Sequence, residues 1–158
     1  METEKKLKLL QLFYAGVLAD STSNYEKFGI LDLVTEKKEA EQILTASGKL
    51  AQLGIDSPEK LFESFSEIFG CIQWKIEKQL GKLIASGNSC LLCAIAKKMN
   101  TAQPCHIYCT NPFKSFVSAL GNDLELNVKE TLWDGNKCEF EVFNKISDPK
   151  TASEKLAI

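Results

Sequence analysis

The sequence contains no arginine, because all nineteen of its basic residues are lysine. Arginine is the side chain that binds phosphates and guanine edges through two parallel hydrogen bonds. Twenty-one acidic residues outnumber the lysines and give a formal net charge of −2, so no basic field covers the chain. Nucleic acid is therefore not expected as a partner.

Long apolar runs are also absent, since no stretch approaches the ~18 residues of a membrane span. The first ten residues, METEKKLKLL, mix charged and apolar residues and lack the basic and then continuous apolar layout of a signal peptide. These absences predict a cytoplasmic protein without a membrane partner. In that reducing compartment, the six cysteines are expected to be metal ligands, catalytic thiols or buried apolar residues, and not disulfides.

The motifs that mark many catalytic and nucleotide-binding sites are missing as well. The chain has no GxGxxG, GxxxxGKS/T, HExxH or GxSxG motif and no EF-hand loop. The usual support for a dinucleotide, P-loop, zinc-protease, serine-hydrolase or calcium site is therefore lacking.

What is present has the composition of one packed domain. With 158 residues, of which 44% are hydrophobic and 25% charged, the chain is able to bury roughly 70% of the surface that its unfolded form exposes. No repeat or linker divides the sequence. We predict a single domain over residues 1–146, followed by a polar tail over residues 147–158.

The first seventy residues carry the pattern of helices. Apolar residues recur every three or four positions, which predicts three helical segments. Ser57 and Pro58 mark the start of the third, because serine caps a helix and proline lacks only an N–H that the first turn does not use. Gly70 marks its end. The polar run at residues 21–24 predicts a turn that leads into a further short helix over residues 25–33.

Beyond Gly70 the apolar period changes from 3.6 to 2, which is typical of strands with one buried face. Residues 72–77 and 83–85 predict one hairpin, and residues 124–128 and 138–142 predict a second.

Between the two hairpins, residues 91–99 predict a helix, a cysteine-bearing loop follows, and Asn111 with Pro112 begins a helix that Gly121 ends. The predicted fold class is therefore α+β. Its N-terminal helices pack on a mainly antiparallel four-stranded sheet with inserted helices.

Four cysteines and the single histidine fall within twenty positions, as Cys90, Cys93, Cys105, His106 and Cys109. Two cysteine pairs on either side of a short helix are able to converge on one tetrahedral ion, because thiolates bind Zn²⁺ at about 2.3 Å. We predict a metal site formed by the four cysteines, with zinc favoured and an iron–sulfur cluster as the alternative. A redox pair at Cys90 and Cys93, a catalytic thiol and simple core packing remain open.

His106 is either an alternative metal ligand or a general base. Pairing with the adjacent Cys105 would be strained, whereas Cys90 or Cys109 could meet the ring across the loop. A solvent-facing histidine, or one that supports a metal ligand, is the other interpretation.

Aromatic residues in the predicted helices and strands are candidate walls of an apolar ligand pocket between helices and sheet. An ordinary packed core explains the same spacing. The candidates are Phe62, Phe65, Phe69, Trp74, Phe113 and Phe116. The first helix carries a second apolar surface, from Leu7 to Val17, that would either form a homodimer face or pack on its own domain.

Residues 135–140 carry a Gly-polar-x-Cys-x-Phe pattern in the second predicted hairpin, after Cys105 and the Asn-Pro-Phe of residues 111–113. With Cys71 opening a strand and Cys90 following the next hairpin, residues 57–144 resemble two related families. These are the vinyl-reductase-type (4-vinyl reductase, hydrocarbon-binding) domain and the 2-amino-thiazoline-4-carboxylate hydrolase family.

The resemblance implies the α+β ligand-binding fold shared with haem-nitric-oxide sensors and transport-particle subunits of the Golgi. In that fold, helices flank an antiparallel sheet and bury a small apolar pocket, and two copies commonly pair through their helices. Phenol-sensing relatives build a zinc site from cysteines, which implies the same role for the four cysteines of this chain.

The expected function is a small-molecule-binding or sensing module for an apolar or heterocyclic ligand. The alternative is a hydrolase of a small cyclic amide or thiazoline, with Cys105 or Cys109 as the nucleophile or with metal-bound water.

Overall fold

The structure of the chain, a computed structural model, describes residues 1–145. The predicted tail over residues 147–158 lies outside the described residues. The elements within them, in chain order, are α1 (Thr3–Lys27), α2 (Leu31–Leu53), α3 (Pro58–Phe69), β1 (Lys75–Gln79), β2 (Lys82–Gly87), α4 (Leu91–Lys98), a π-helix (His106–Thr110), α5 (Asn111–Leu120), β3 (Leu124–Glu130) and β4 (Cys138–Asn144).

The four strands form one open antiparallel sheet in the order β1-β2-β4-β3. Ala85 on β2 lies opposite Phe140 on β4, and both are fully buried on the face that the helices cover. The predicted α+β class and both predicted hairpins are confirmed. β1 begins three residues later than predicted, because the backbone N–H of Trp74 donates to Ser66 Oγ at 3.0 Å and so ties the chain to α3.

Both predicted ends of α3 are confirmed. Ser57 Oγ accepts a hydrogen bond from the backbone N–H of Lys60 at 3.3 Å, which satisfies one of the free donors of the first turn. Gly70 ends the helix in the left-handed region at φ +63°, where a side chain would be strained.

The turn predicted at residues 21–24 is wrong, because α1 continues through them to Lys27. The hydroxyls of Ser21 and Thr22 donate to the carbonyls four residues earlier, at 2.8 and 2.9 Å, and so do not disrupt the helix. The chain turns at Gly29 instead, where φ is +68°.

The predicted cysteine-bearing loop is also wrong in part, because residues 106–110 form a π-helix that runs directly into α5. Pro112 does not break this run, since it sits in the first turn of α5. The buried side chains of Ile107 and Thr110 hold the π-helix against the rest of the domain. π-Helical turns of this kind frequently occur at functional sites.

Two groups of buried side chains stabilise the domain. The larger lies between the sheet, α2, α3 and α5 and includes Phe62, Val117 and Phe140. The smaller lies between α1 and α4, where Ala15 and Ala19 allow close approach of the two helices. Within residues 1–145, no helix is both long and apolar enough to span a membrane.

Candidate ligand-binding cavity

A cavity of about 570 Å³ lies between α1 and α2, and residues of α3, the π-helix and α5 also line it. Its α2 wall is formed by side chains from one face of that helix, from Lys38 to Leu53. With a rise of about 1.5 Å per residue, this wall is roughly 22 Å long. The cavity is therefore an elongated cleft and not a compact hole. Its α1 wall is formed by Tyr14, Leu18 and Tyr25.

Aromatic side chains form the floor of the cavity. Phe65 lies with its ring centroid 5.0 Å from that of Phe113 and 5.4 Å from that of Phe116. Five of the six aromatic residues named from the sequence line the cavity, namely Phe65, Phe69, Trp74, Phe113 and Phe116.

Phe62 does not line the cavity. It is fully buried behind the floor, where it stacks on Phe113 at 4.8 Å and meets Trp74 edge-on at 5.2 Å. It therefore supports the aromatic floor from the core side.

Part of the cavity wall is polar. Gln42 Nε2 donates to the backbone carbonyl of Ile107 at 2.9 Å, which orients the carboxamide of a cavity-lining side chain. Its Oε1 is buried and has no hydrogen-bond partner among the described residues. Beside Ile107, Tyr108 lies near Tyr25 and Ser21, and burial together with Tyr25 raises the pKa of Tyr108 to about 12. Both tyrosines line the cavity, and Tyr108 is a neutral phenol at pH 7.

The only charged side chains on the described part of the cavity wall are Lys38 and Lys49. Lys38 is half-buried and Lys49 is exposed. Neither forms an ion pair with residues 1–145. A wall with two cations and no described carboxylate favours a neutral or anionic ligand.

Cysteines line part of this cavity and border a second, much smaller one. Cys71, Cys90 and Cys109 line the large cavity. A separate cavity of about 20 Å³ is bordered by Cys90, Cys93, Cys105, Cys109 and Cys138. The four cysteines predicted as metal ligands therefore lie around one small space, together with Cys138. A space of this size holds about one water molecule.

These thiols are not arranged as a formed metal site. Among residues 1–145, no group of three or more His, Cys, Asp or Glu side chains is placed to hold an ion. Cys90 Sγ instead accepts from the backbone N–H of Cys93 at 3.4 Å and caps α4. Cys138 Sγ accepts from the backbone N–H of Leu132 at the same distance.

Burial also determines the protonation of these thiols. It raises the pKa of Cys90 to about 12 and that of Cys105 to about 11, and it raises the pKa of Cys109 well above the ordinary value. Each is a neutral thiol at pH 7. A catalytic cysteine needs the opposite shift, because the thiolate is the nucleophile.

His106 directly follows Cys105 in the chain but does not border the space around these thiols. Its side chain is exposed, and its Nδ1 lies 3.5 Å from Thr110 Oγ1. It lines neither the large cavity nor the small one.

Sequence reasoning missed the polar part of the cavity wall. Lys38 and Gln42 are spaced by four residues, and Lys49 follows seven residues after Gln42. This spacing places the three polar residues on one face of α2. A polar face on a helix that also packs against the domain was the sequence signal that could have indicated these residues.

No known family profile matches the chain, and no curated protein matches it in sequence. Among solved structures, the fold is similar to that of the phenol-responsive sensory domain of the transcription activator PoxR, crystallised with phenol. The TM-score is 0.53 with 11% sequence identity, over 90% of this chain and 80% of that domain. The likeness at this identity shows a shared fold.

Proposed function

We propose that this chain is a small-molecule-binding module of the sensory type, and that its ligand lies in the cavity between α1 and α2. The observation that carries the proposal is the cavity itself, about 570 Å³ with an aromatic floor. Ligand sites in proteins are typically about 300–1,000 Å³, mostly apolar and supplied with a few polar groups. This cavity has each of those properties.

The fold supports the same proposal. The PoxR domain, which shares the fold, responds to phenol. The cavity of the present chain is larger than a single phenol ring needs, so we propose a larger apolar or heterocyclic ligand. Membership of the vinyl-reductase-type domains, which the pattern at residues 135–140 suggested, is part of this proposal.

Binding is favoured over the hydrolase alternative by the state of the thiols. Cys105 and Cys109, the candidate nucleophiles, are partly buried, and their raised pKa values make them neutral thiols. His106, the candidate base, is exposed, and its ring nitrogen lies beside Thr110. The function proposed here therefore assigns no covalent step to these residues.

A thiolate-held zinc ion, or an iron–sulfur cluster, remains a proposal from the sequence. The donor atoms suit either group. Their placement does not fit it, since residues 1–145 offer no set of three ligands. Elemental analysis tests the proposal. About one zinc per chain, lost from a variant with Cys90→Ser and Cys93→Ser, would support it, and metal-free native protein would overturn it.

We also propose that two copies pair through α1. Leu10, Phe13 and Val17 form a stripe along this helix and are 66%, 69% and 61% exposed in the described chain. This exposure favours a partner surface over packing on the same domain.

The partner is a second copy, because the charges beside the stripe complement each other. Lys6 and Asp20 each lie seven residues from Phe13, and this spacing repeats on one helix face. An antiparallel pair of α1 helices centred on Phe13 would place each Lys6 against the other copy's Asp20. Analytical ultracentrifugation should show a dimer that Phe13→Glu converts to a monomer, whereas Phe28→Glu, at an exposed residue beyond α1, leaves it intact. A native monomer would contradict the pairing.

The binding proposal is tested with N-phenyl-1-naphthylamine, a neutral apolar probe that fluoresces when it leaves water. We expect saturable enhancement at one site per chain. Leu53→Trp, which adds bulk to the cavity wall, should weaken binding about tenfold or more. Leu33→Trp is the control, because Leu33 is an exposed leucine on the same helix that does not line the cavity. No saturable enhancement, or equal loss in both variants, would contradict the proposal.

A further inference from the structure

The charged and amide side chains on the described cavity wall come from one helix. Within residues 1–145, Lys38, Gln42, Lys49 and Gln52 of α2 are the only lining residues with such side chains. The other elements supply aromatic, aliphatic, phenol and thiol groups. A ligand in this cleft therefore meets polar groups along α2 and mostly apolar groups from the elements around it.

The two lysines of this wall lie far apart along one face of the helix. Lys38 and Lys49 are separated by eleven residues, which is about three turns, so both side chains leave α2 in nearly the same direction. At about 1.5 Å per residue, their Cα atoms lie roughly 16 Å apart. One carboxylate is too small to pair with both ammonium groups at once, whereas two carboxylates on one elongated ligand are able to.

Both lysines are available to a ligand, because neither forms an ion pair with residues 1–145. The acidic residues that lie closest to Lys38 in the chain are exposed and do not line the cavity, namely Glu36, Glu39 and Glu41. Lys38 is half-buried and Lys49 is exposed. The anion that pairs with Lys38 should therefore be held more strongly, since water and salt screen a half-buried charge less.

The apolar part of the cavity suits the middle of such a ligand. An alkyl chain buries its surface against the rings of Phe65, Phe113 and Phe116 and needs no hydrogen-bond partner there. A fully extended chain advances about 1.2 Å per bond, so fourteen carbons span roughly 16 Å. This length matches the separation of the two lysines and is shorter than the α2 wall.

We propose that the cavity binds an elongated dicarboxylate, with an apolar chain on the aromatic floor and its two carboxylates paired with Lys38 and Lys49. A monocarboxylate of the same length would leave one lysine without an anion, and a neutral ligand would leave both. This inference rests on the proposed binding function and deepens it, because it names the charge and the length of the ligand.

The test is displacement of N-phenyl-1-naphthylamine from the full chain by three ligands of one length. These are tetradecanedioate, its monomethyl ester and its dimethyl ester, which carry two, one and no negative charges at pH 7. We expect the monoester to bind about tenfold more tightly than the diester, because its carboxylate pairs with Lys38. The dioate should bind about threefold more tightly again, because an ion pair with the exposed Lys49 contributes less.

Octanedioate and its monomethyl ester are the length control. Eight carbons extend over only about 8 Å, so the second carboxylate does not reach a second lysine. We therefore expect octanedioate to bind no more tightly than its own monoester.

Three variants of α2 locate the charges. Lys38→Met and Lys49→Met should each abolish the advantage of tetradecanedioate over its monoester, because either change leaves one carboxylate without a partner. Lys38→Met should also weaken the monoester, whereas Lys49→Met leaves it unchanged. Lys37→Met is the matched control and should retain the advantage, because Lys37 is an exposed lysine of the same helix that does not line the cavity. The neutral diester should bind all three variants alike, which shows that each is folded.

The outcomes separate this inference from the function on which it rests. If the probe binds saturably but the native protein does not prefer tetradecanedioate to its monoester, the cavity binds apolar ligands and the dicarboxylate inference is overturned. A preference that Lys37→Met also removes, or that octanedioate also shows, overturns it too. If the probe does not bind, the binding function fails, and calorimetric titration with tetradecanedioate decides the inference. Saturable heat that Lys38→Met weakens would support it, and an absence of heat would overturn it.

Discussion

Phe113 has two roles that a substitution can separate, since it lines the cavity and also belongs to the core. It is 3% exposed, and its ring lies 4.8 Å from Phe62, 5.0 Å from Phe65 and 5.7 Å from Phe140. Phe113→Ala removes all of these contacts, and the neighbouring rings cannot fill the space. We expect a loss of about 3–5 kcal/mol in the free energy of unfolding. In a chain of this length that corresponds to a fall of roughly 10 °C in Tm.

Phe69 is the comparison, because it lines the same cavity at its rim. It is only half-buried, with Tyr14 at 5.4 Å and Phe65 at 4.9 Å. Phe69→Ala should therefore cost about 1–2 kcal/mol, less than the loss for a fully buried ring. Both variants should bind N-phenyl-1-naphthylamine more weakly. Urea unfolding measures the loss of stability, and titration with the probe measures the loss of affinity. Equal stability losses, or a loss below about 1 kcal/mol for Phe113→Ala, would refute the reasoning.

Three further predictions concern stability. Urea unfolding should show a larger loss in the free energy of unfolding for Gly70→Ala than for Gly54→Ala. Both positions have positive φ, but only at Gly70 would a Cβ overlap the carboxamide of Gln11, and equal losses would show that Gln11 moves aside. Ser57→Ala should cost about 1 kcal/mol through loss of the α3 cap, and an unchanged midpoint would contradict that role. The raised pKa values of Cys90 and Cys105 mean that the unfolded chain loses these protons at a lower pH than the folded chain does. The free energy of unfolding should therefore be full below about pH 8.5 and fall as the pH rises toward about 11–12. A free energy of unfolding that stays constant from pH 7 to about 10.5 would contradict the burial of these thiols.

Much of the fold could be predicted from the sequence because local signals agreed with tertiary packing. Ser57 and Gly70 marked the ends of α3 through side-chain capping and a positive φ, both of which depend on a few neighbouring residues. Strict alternation in β4 matched its buried face, with Phe140 and Val142 inward.

The errors fell where packing overrides local preference. Residues 21–24 have the composition of a turn, yet Thr22 and Ser23 are buried within a continuous helix. The π-helix has no sequence signal of its own, so the residues from His106 to Thr110 were expected in a loop. Tertiary packing determines the backbone conformation in both segments, and the amino-acid composition of a segment does not reveal that packing.

The site was predictable only for its apolar part. Aromatic spacing indicated the floor, since large apolar side chains on helices mark a buried face. The polar part of the wall depends on the contact between Gln42 and Ile107, which are 65 residues apart in the chain. No local pattern predicts a contact of that separation.

The central claim is that the cavity between α1 and α2 holds the ligand, and the two tryptophans test it directly. Trp74 lines this cavity, whereas Trp133 borders only the small cysteine-lined space. In protein labelled with 5-fluorotryptophan, fluorine NMR should show two signals. N-phenyl-1-naphthylamine should shift the signal of Trp74 in a saturable manner and leave that of Trp133 in place. A saturated sample in which Trp74 does not shift, or in which only Trp133 does, would contradict the account.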